Sequence, residues 1–151
     1  MRKIKQIVVH CSATREGNDH DAEYIDKMHR ARGWKGIGYN YVIKLNGDIE
    51  NGRSIEKIPA GVFGHNRDSV HVVYIGGLDE DGKPTDTRTN EQKHSLRVLL
   101  ESLKLVFNKA VIKGHRDFSP DKNGNGIIDK WEWIKACPCF DCIEEYKDLN
   151  K

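Results

Sequence analysis

The order of strand-like and helix-like segments predicts an α/β fold, with a central mixed β-sheet flanked by α-helices in a single domain. Three observations lead to this prediction. Short β-branched runs alternate with polar loops, two segments combine helical periodicity with a capping residue at their start, and an Asn-Gly pair separates two strand-like segments. The 151 residues suffice for one core, so we expect one domain over 1–151 with an insertion at 119–132.

The first half of the chain is predicted to form a strand, a helix and a β-hairpin. Asp21 is a favoured residue at a helix start, and Gly33 is a favoured helix stop. The Asn46-Gly47 pair is the strongest short signal for a hairpin turn. The predicted elements are a strand over 4–9 that ends at His10, a helix over 22–32, and hairpin arms over 39–45 and 48–50.

The second half contains one strong amphipathic helix between two short strands. Thr89 and Gln92 have the spacing of a capping box at its start. Its apolar stripe consists of Leu96, Leu99, Leu100, Leu103, Val106 and Phe107. The strands are predicted over 70–75 and 110–112, and a further helical segment is predicted near residue 151.

Composition excludes two classes of partner. The net charge is +2 and the isoelectric point about 8.3, which is too weakly basic for a typical nucleic-acid-binding surface, so we predict no nucleic-acid partner. No apolar run approaches the length of a membrane segment. The apolar part of the amino terminus is only Ile7–Val9, so we interpret it as a strand rather than a signal peptide and expect cytoplasmic synthesis.

Two histidines occupy equivalent places in the predicted sheet. His10 and His115 each follow a short apolar strand, at the end where α/β sheets usually form their sites. Cys137 could complete a set of two imidazoles and one thiolate, which suits Zn²⁺ with one position left for water. The alternative is that the carboxyl-terminal cysteines are small buried residues. A rival metal site would combine the Cys139-x-x-Cys142 pair, which has the spacing of half a zinc site, with the distant Cys11.

The insertion matches the calcium-binding loop pattern over residues 121–132. Oxygen ligands occur at every diagnostic position, and Gly126 stands where that loop needs its sharp turn. The predicted calcium ligands are Asp121, Asn123, Asn125, Ile127 through its carbonyl, Asp129 and Glu132. The alternative interpretation is a polar, turn-rich insertion that binds no ion.

The chain resembles the zinc-dependent N-acetylmuramoyl-L-alanine amidases of type 2, a family that includes phage lysozyme-like amidases and peptidoglycan recognition proteins. The resemblance runs in family order from about residue 7 to about residue 141. Its principal matches are Val9-His10-Cys11-Ser12-Ala13-Thr14, Ile37-Gly38-Tyr39-Asn40-Tyr41-Val42-Ile43, Gly114-His115-Arg116-Asp117 and Lys135-Ala136-Cys137-Pro138.

The resemblance implies a function and a set of site residues. It implies hydrolysis of the amide bond between N-acetylmuramic acid and L-alanine in peptidoglycan, the expected substrate, by zinc-activated water. It implies that His10, His115 and Cys137 bind the zinc, and that Tyr39 and Lys135 assist catalysis. A phage endolysin or a bacterial wall-remodelling enzyme would fit, and it would reach the cell wall after release or by an export route other than a signal peptide.

Two alternatives remain at the level of function. The chain could be a non-catalytic peptidoglycan-binding module, although its retention of the cysteine ligand favours the enzyme. A regulator that binds a polymerase is also compatible with the resemblance.

The sequence departs from the family at two positions near the substrate-binding groove that the resemblance implies. Gly61 stands where relatives usually carry a histidine, for which His65 is a partial substitute. His71 stands in a strand where small residues are usual.

Overall fold

A computed structural model describes residues 1–151 and contains one five-stranded mixed sheet with helices on both faces. The strands are β1 (Gln6–Cys11), β2 (Thr14–Arg15), β3 (Tyr41–Ile43), β4 (Ile49–Asn51), β5 (Ser69–Tyr74), β6 (Gly77–Leu78) and β7 (Val111–Gly114). The α-helices are α1 (Ala22–Ala31), α2 (Asn90–Val106) and α3 (Cys142–Glu145), with short 3-10 helices at His115–Phe118 and Lys130–Glu132. The predicted α/β class is confirmed.

The main sheet has the strand order β4-β3-β5-β1-β7, and β2 pairs with β6 in a separate two-stranded sheet. Strand β1 runs parallel to both β5 and β7, and β3 runs parallel to β5. Only β4 runs antiparallel, as the second arm of the predicted hairpin. Because β1 and β7 are adjacent and parallel, their carboxyl ends open onto the same edge of the sheet.

The two long helices cover opposite faces of this sheet. Helix α2 begins at the predicted capping box, in which Thr89 accepts the backbone N–H of Gln92 and Gln92 accepts that of Thr89. Its Leu96 and Leu100 are fully buried in the larger core cluster. Burial of each such side chain contributes roughly 1.5–3 kcal/mol to the free energy of unfolding. Helix α1 places Ile25 in the smaller cluster on the other face. The apolar side of each amphipathic helix therefore packs against one face of the sheet.

Two differences from the sequence-based prediction concern β1 and the carboxyl-terminal segment. Strand β1 continues through His10 and Cys11, because β5 offers it a partner as far as Tyr74. The carboxyl-terminal helix is only the short α3, capped by Asp141, whose side chain accepts the backbone N–H of Glu144. None of the helices combines the length and apolar character that a membrane crossing requires.

Candidate metal centre and active-site cleft

His10 and His115 meet at the edge of the sheet where β1 and β7 end. His10 is the penultimate residue of β1, and His115 directly follows the last residue of β7. Both are buried, with 1% and 7% of their surfaces exposed, and their ring centroids lie 5.0 Å apart in a nearly perpendicular arrangement. The parallel pairing of two strands thus brings together residues that are distant in the sequence.

Cys137 reaches the same point from a loop that is fixed on both sides. The backbone N–H of Arg116 donates to the carbonyl of Cys137 over 2.9 Å, and the Tyr74 hydroxyl donates to the carbonyl of Pro138 over 2.6 Å. Gly114 allows the close approach, because a Cβ there would lie 2.6 Å from the Pro138 ring. The backbone N–H of Cys11 points to the Cys137 sulfur at 3.2 Å. Each contact restricts where the sulfur can lie.

One ligand atom from each of His10, His115 and Cys137 lies within 4.8 Å of the other two. Two imidazoles and one thiolate are the donor types that zinc prefers, and three protein ligands leave a coordination position for water or substrate. The donor set therefore fits zinc. The rival cysteines do not form such a group: the sulfurs of Cys11 and Cys139 lie 3.8 Å apart, but the Cys142 sulfur does not complete a set of three ligand atoms with them.

The environment keeps both histidine rings neutral, which is the form that offers a lone pair to a metal. Burial, followed by the charges of His71, His115 and Lys135, holds the pKa of His10 well below its usual range. Burial, with a smaller contribution from Lys135, lowers the pKa of His115 to about 4. The structure thus disfavours protonation of the His10 and His115 rings.

The cluster opens into a cleft of about 840 Å³ that also contains Tyr39 and Lys135. The ring of Tyr39 lies 4.9 Å from that of His10, centroid to centroid, and burial raises the pKa of its hydroxyl, so it remains a proton donor. Lys135 is exposed at the rim, and its charge contributes to the lowered pKa of both histidines. The apolar lining includes Trp34, Ala60, Val62, Phe63, Phe118 and Ile134.

The remaining histidines of this region differ in their surroundings. His29 is buried, and its Nδ1 accepts the backbone N–H of Gly38 at 2.8 Å, which indicates a structural role. His65 lines the cleft beside Phe118. His71 lies against His10, a contact that the sequence analysis missed. The available signal was a histidine inside an otherwise apolar strand.

In the insertion at 119–132, the carboxylates of Asp121 and Glu132 form hydrogen bonds with the backbone of the same loop. Asp121 accepts the backbone N–H groups of Gly124 and Gly126, and both carboxylate oxygens of Glu132 accept backbone N–H groups, from Lys122 and Asp129. Its three carboxylates do not form a metal-ligand group like that of His10, His115 and Cys137. Calcium binding at Asp121, Asn123, Asn125, Ile127, Asp129 and Glu132 stays a prediction.

Comparison with known proteins gives concordant results at the level of sequence and fold. Residues 1–133 match the sequence profile of the family Amidase_2, N-acetylmuramoyl-L-alanine amidase. The endolysin of Klebsiella phage KP32 is 36% identical over 140 residues, which cover 93% of this chain and 83% of that protein.

Two solved structures have closely similar folds. The N-acetylmuramoyl-L-alanine amidase LysC from Clostridium intestinale superposes with a TM-score of 0.74 at 25% identity, covering 99% of this chain and 87% of that one. Bumblebee PGRP-SA superposes with a TM-score of 0.73 at 20% identity, covering 98% and 83%, which is a similarity of fold.

Proposed function

The chain belongs to the N-acetylmuramoyl-L-alanine amidase family, and we propose that it hydrolyses the amide bond between N-acetylmuramic acid and L-alanine in peptidoglycan. The observation that carries this proposal is the convergence of His10, His115 and Cys137 at the base of a cleft. The cleft combines apolar side chains with polar groups beside the cluster. A role in lysis agrees with the similarity to the endolysin of Klebsiella phage KP32.

We propose that zinc is the metal and that His10, His115 and Cys137 are its ligands. When bound, zinc supplies Lewis acidity toward the scissile carbonyl and lowers the pKa of water at the open position. The chain contributes two neutral imidazoles and a sulfur that already accepts the backbone N–H of Cys11. This hydrogen bond orients the sulfur, and the neutral rings need lose no proton before they bind the ion.

Tyr39 and Lys135 are proposed to act on the reacting amide. The protonated hydroxyl of Tyr39 can donate a hydrogen bond to the carbonyl oxygen as negative charge develops there. The ammonium of Lys135 can stabilise the same charge from the rim, or donate a proton to the departing amine of L-alanine. Both side chains line the cleft that contains His10 and Cys137.

The groove departs from the family pattern at its centre. Gly61 supplies no side chain, and the neighbouring rim residue Phe63 is fully exposed. We propose that apolar contact with Phe63 and hydrogen bonding by His65 take over part of the substrate binding that a histidine near residue 61 would provide. The interaction of Phe63 with a sugar or peptide would compensate for an otherwise unfavourable exposure of its ring.

Digestion of purified peptidoglycan, with analysis of the products by mass spectrometry, tests the proposed reaction. We expect free stem peptides with L-alanine at their amino terminus, and glycan strands whose N-acetylmuramic acid has lost its peptide. New reducing sugar ends would instead indicate cleavage of the glycan. Sedimentation of the protein with peptidoglycan, without any released product, would favour the non-catalytic binding module, which the retained ligand set disfavours.

A further inference from the structure

His71 is a fully buried histidine whose position the proposed chemistry does not explain. It lies in β5 between apolar residues, and its surface is 0% exposed. Its Nδ1 is 2.5 Å from Nε2 of His10, and the two ring centroids are 4.8 Å apart with the planes inclined by 24°. The other ring nitrogen of His71, Nε2, is buried and has no hydrogen-bond partner.

The surroundings of His10 assign different roles to its two ring nitrogens. Nδ1 faces Cys137, whose sulfur lies 3.7 Å away, whereas Nε2 faces His71. Nδ1 is therefore the atom on the side of the metal-ligand cluster. A neutral imidazole that binds a metal through one nitrogen carries its proton on the other. His10 consequently donates its Nε2–H, and Nδ1 of His71 is the acceptor.

This hydrogen bond leaves the other ring nitrogen of His71 with a buried N–H that has no acceptor. Since His71 accepts at Nδ1, its own proton is on Nε2, where no acceptor lies within reach. A buried donor without a partner is destabilising, because it has lost its hydrogen bonds to water without replacing them. Valine occurs on either side in the same strand, at Val70, Val72 and Val73, and it would fill a strand position without this cost. Packing alone therefore does not explain a histidine at this place.

Gly61 provides the space in which the two rings meet. A Cβ at this position would lie 2.5 Å from Nδ1 of His71 and 3.0 Å from Nε2 of His10. Any larger residue at 61 would separate the two nitrogens. The two departures noted in the sequence, a glycine at 61 and a histidine at 71, therefore belong to a single structural feature.

We propose that His71 is a positioning residue that holds His10 in the ring orientation and tautomer that bind the metal through Nδ1. The inference rests on the proposed metal centre and extends it to a residue outside the ligand set. Metal-binding histidines usually donate their second N–H to a carboxylate, a carbonyl or water. Here the acceptor is a neutral imidazole from the adjacent strand. Its aromatic ring allows little rotation in the buried site, so it also restricts rotation of the His10 ring.

The zinc dissociation constant of the metal-free protein, measured by competition with a chromophoric chelator, tests the proposal without relying on activity. His71→Val removes the acceptor, and Gly61→Ala places a methyl group against both nitrogens, which must then move. Both variants are expected to bind zinc about 10–100-fold more weakly, the usual effect of removing such a partner. His71→Asn places an amide oxygen near the position of Nδ1, and it is expected to retain affinity within a few-fold of wild type.

Thermal unfolding of the same metal-free variants separates positioning from packing. His71→Val removes one unpartnered buried N–H but leaves the Nε2–H of His10 without its acceptor, so its melting temperature should stay close to that of wild type. The matched control is Val72→Ala, which creates a cavity on the opposite face of β5. It is expected to lower the melting temperature while leaving zinc affinity unchanged.

Two results would overturn the inference. Equal zinc affinity in His71→Val and wild type would overturn it alone and leave the proposed amidase intact. A wild-type protein that binds no zinc would overturn the metal centre together with the inference. Loss of affinity in His71→Val and Gly61→Ala, with retention in His71→Asn and Val72→Ala, would support it.

Discussion

The predicted zinc ligands are far apart in the sequence but close together in the structure. The insertion between two of them shows the reverse, a contiguous motif whose carboxylates do not converge. His10, His115 and Cys137 are dispersed along the chain, yet their ligand atoms lie within 4.8 Å of one another. Residues 121–132 form a contiguous motif that matches a calcium loop, yet their carboxylates form no comparable group. A motif supplies ligand types and spacing, whereas a site also requires the surrounding structure to direct those ligands to one point.

Burial and backbone competition account for this difference. His10 and His115 are buried at a sheet edge, and their rings are held by neighbouring side chains and kept neutral. In the insertion, Asn123 and Asn125 are exposed, and the carboxylate of Glu132 is engaged by backbone N–H groups. Calcium would have to compete with backbone N–H groups for Glu132 and also for the amide oxygens, which accept the backbone N–H groups of Asn125 and Ile127. We therefore expect tight metal binding in the first region and modest binding in the second.

The largest expected effect is the loss of a zinc ligand. His10→Ala, His115→Ala and Cys137→Ala should each abolish zinc retention and lower the rate of peptidoglycan hydrolysis by about a thousandfold or more, since several kcal/mol of transition-state stabilisation disappear. Metal analysis of the purified variants, together with product release, measures both effects. Cys139→Ala is the matched control and should retain zinc. Full zinc occupancy in Cys137→Ala would contradict the ligand assignment.

A smaller effect is expected from the residues proposed to assist the reaction. Tyr39→Phe and Lys135→Ala should retain zinc and the native fold but lose roughly a hundredfold in kcat, because each removes a donor toward developing charge or a departing amine. Tyr41→Phe and Lys130→Ala are suitable controls, since neither residue lines the cleft. Wild-type kcat in both active-site variants would show that the metal acts without these two side chains.

The smallest effect is expected in the insertion. If calcium binds with a dissociation constant on the order of 10⁻⁵ to 10⁻³ M, calcium at about a hundred times that constant should raise the melting temperature by roughly 5–10 °C. Glu132→Gln should remove that increase and leave zinc content unchanged. Calorimetric titration of both proteins measures the affinity directly. The absence of heat and of any melting shift at millimolar calcium in wild type would identify the segment as a polar insertion only.

A calcium-dependent increase in activity would connect the two regions. The insertion ends at Glu132, three residues before Lys135, and the same loop continues to Cys137. Ordering of residues 121–132 by calcium would reduce the conformational freedom of Lys135 and Cys137. Less conformational entropy would then be lost when Cys137 binds zinc and when Lys135 contacts the substrate. Activity that rises with calcium in wild type but not in Glu132→Gln would establish this coupling. A melting shift without a change in activity would keep the two regions independent.

The features of this protein that depend on short-range chemistry could be predicted from the sequence. Asp21 and Thr89 predicted the helix starts because capping hydrogen bonds join residues two or three apart. The Asn46-Gly47 turn predicted the antiparallel arm of the sheet for the same reason. The family resemblance pointed to the proposed ligands His10, His115 and Cys137, whose identity is a matter of residue type and order.

How these side chains meet depends on contacts between segments that are distant in the sequence. The register of β1 against β5 carried the strand through His10, and the parallel pairing of β1 with β7 placed His115 beside it. The contact between His10 and His71 joins neighbouring strands whose separation in sequence gives no periodic signal. The space left by Gly61 likewise has meaning only once both rings are placed. Local patterns specify local hydrogen bonds, whereas ring orientation and ligand convergence depend on the packing of distant segments.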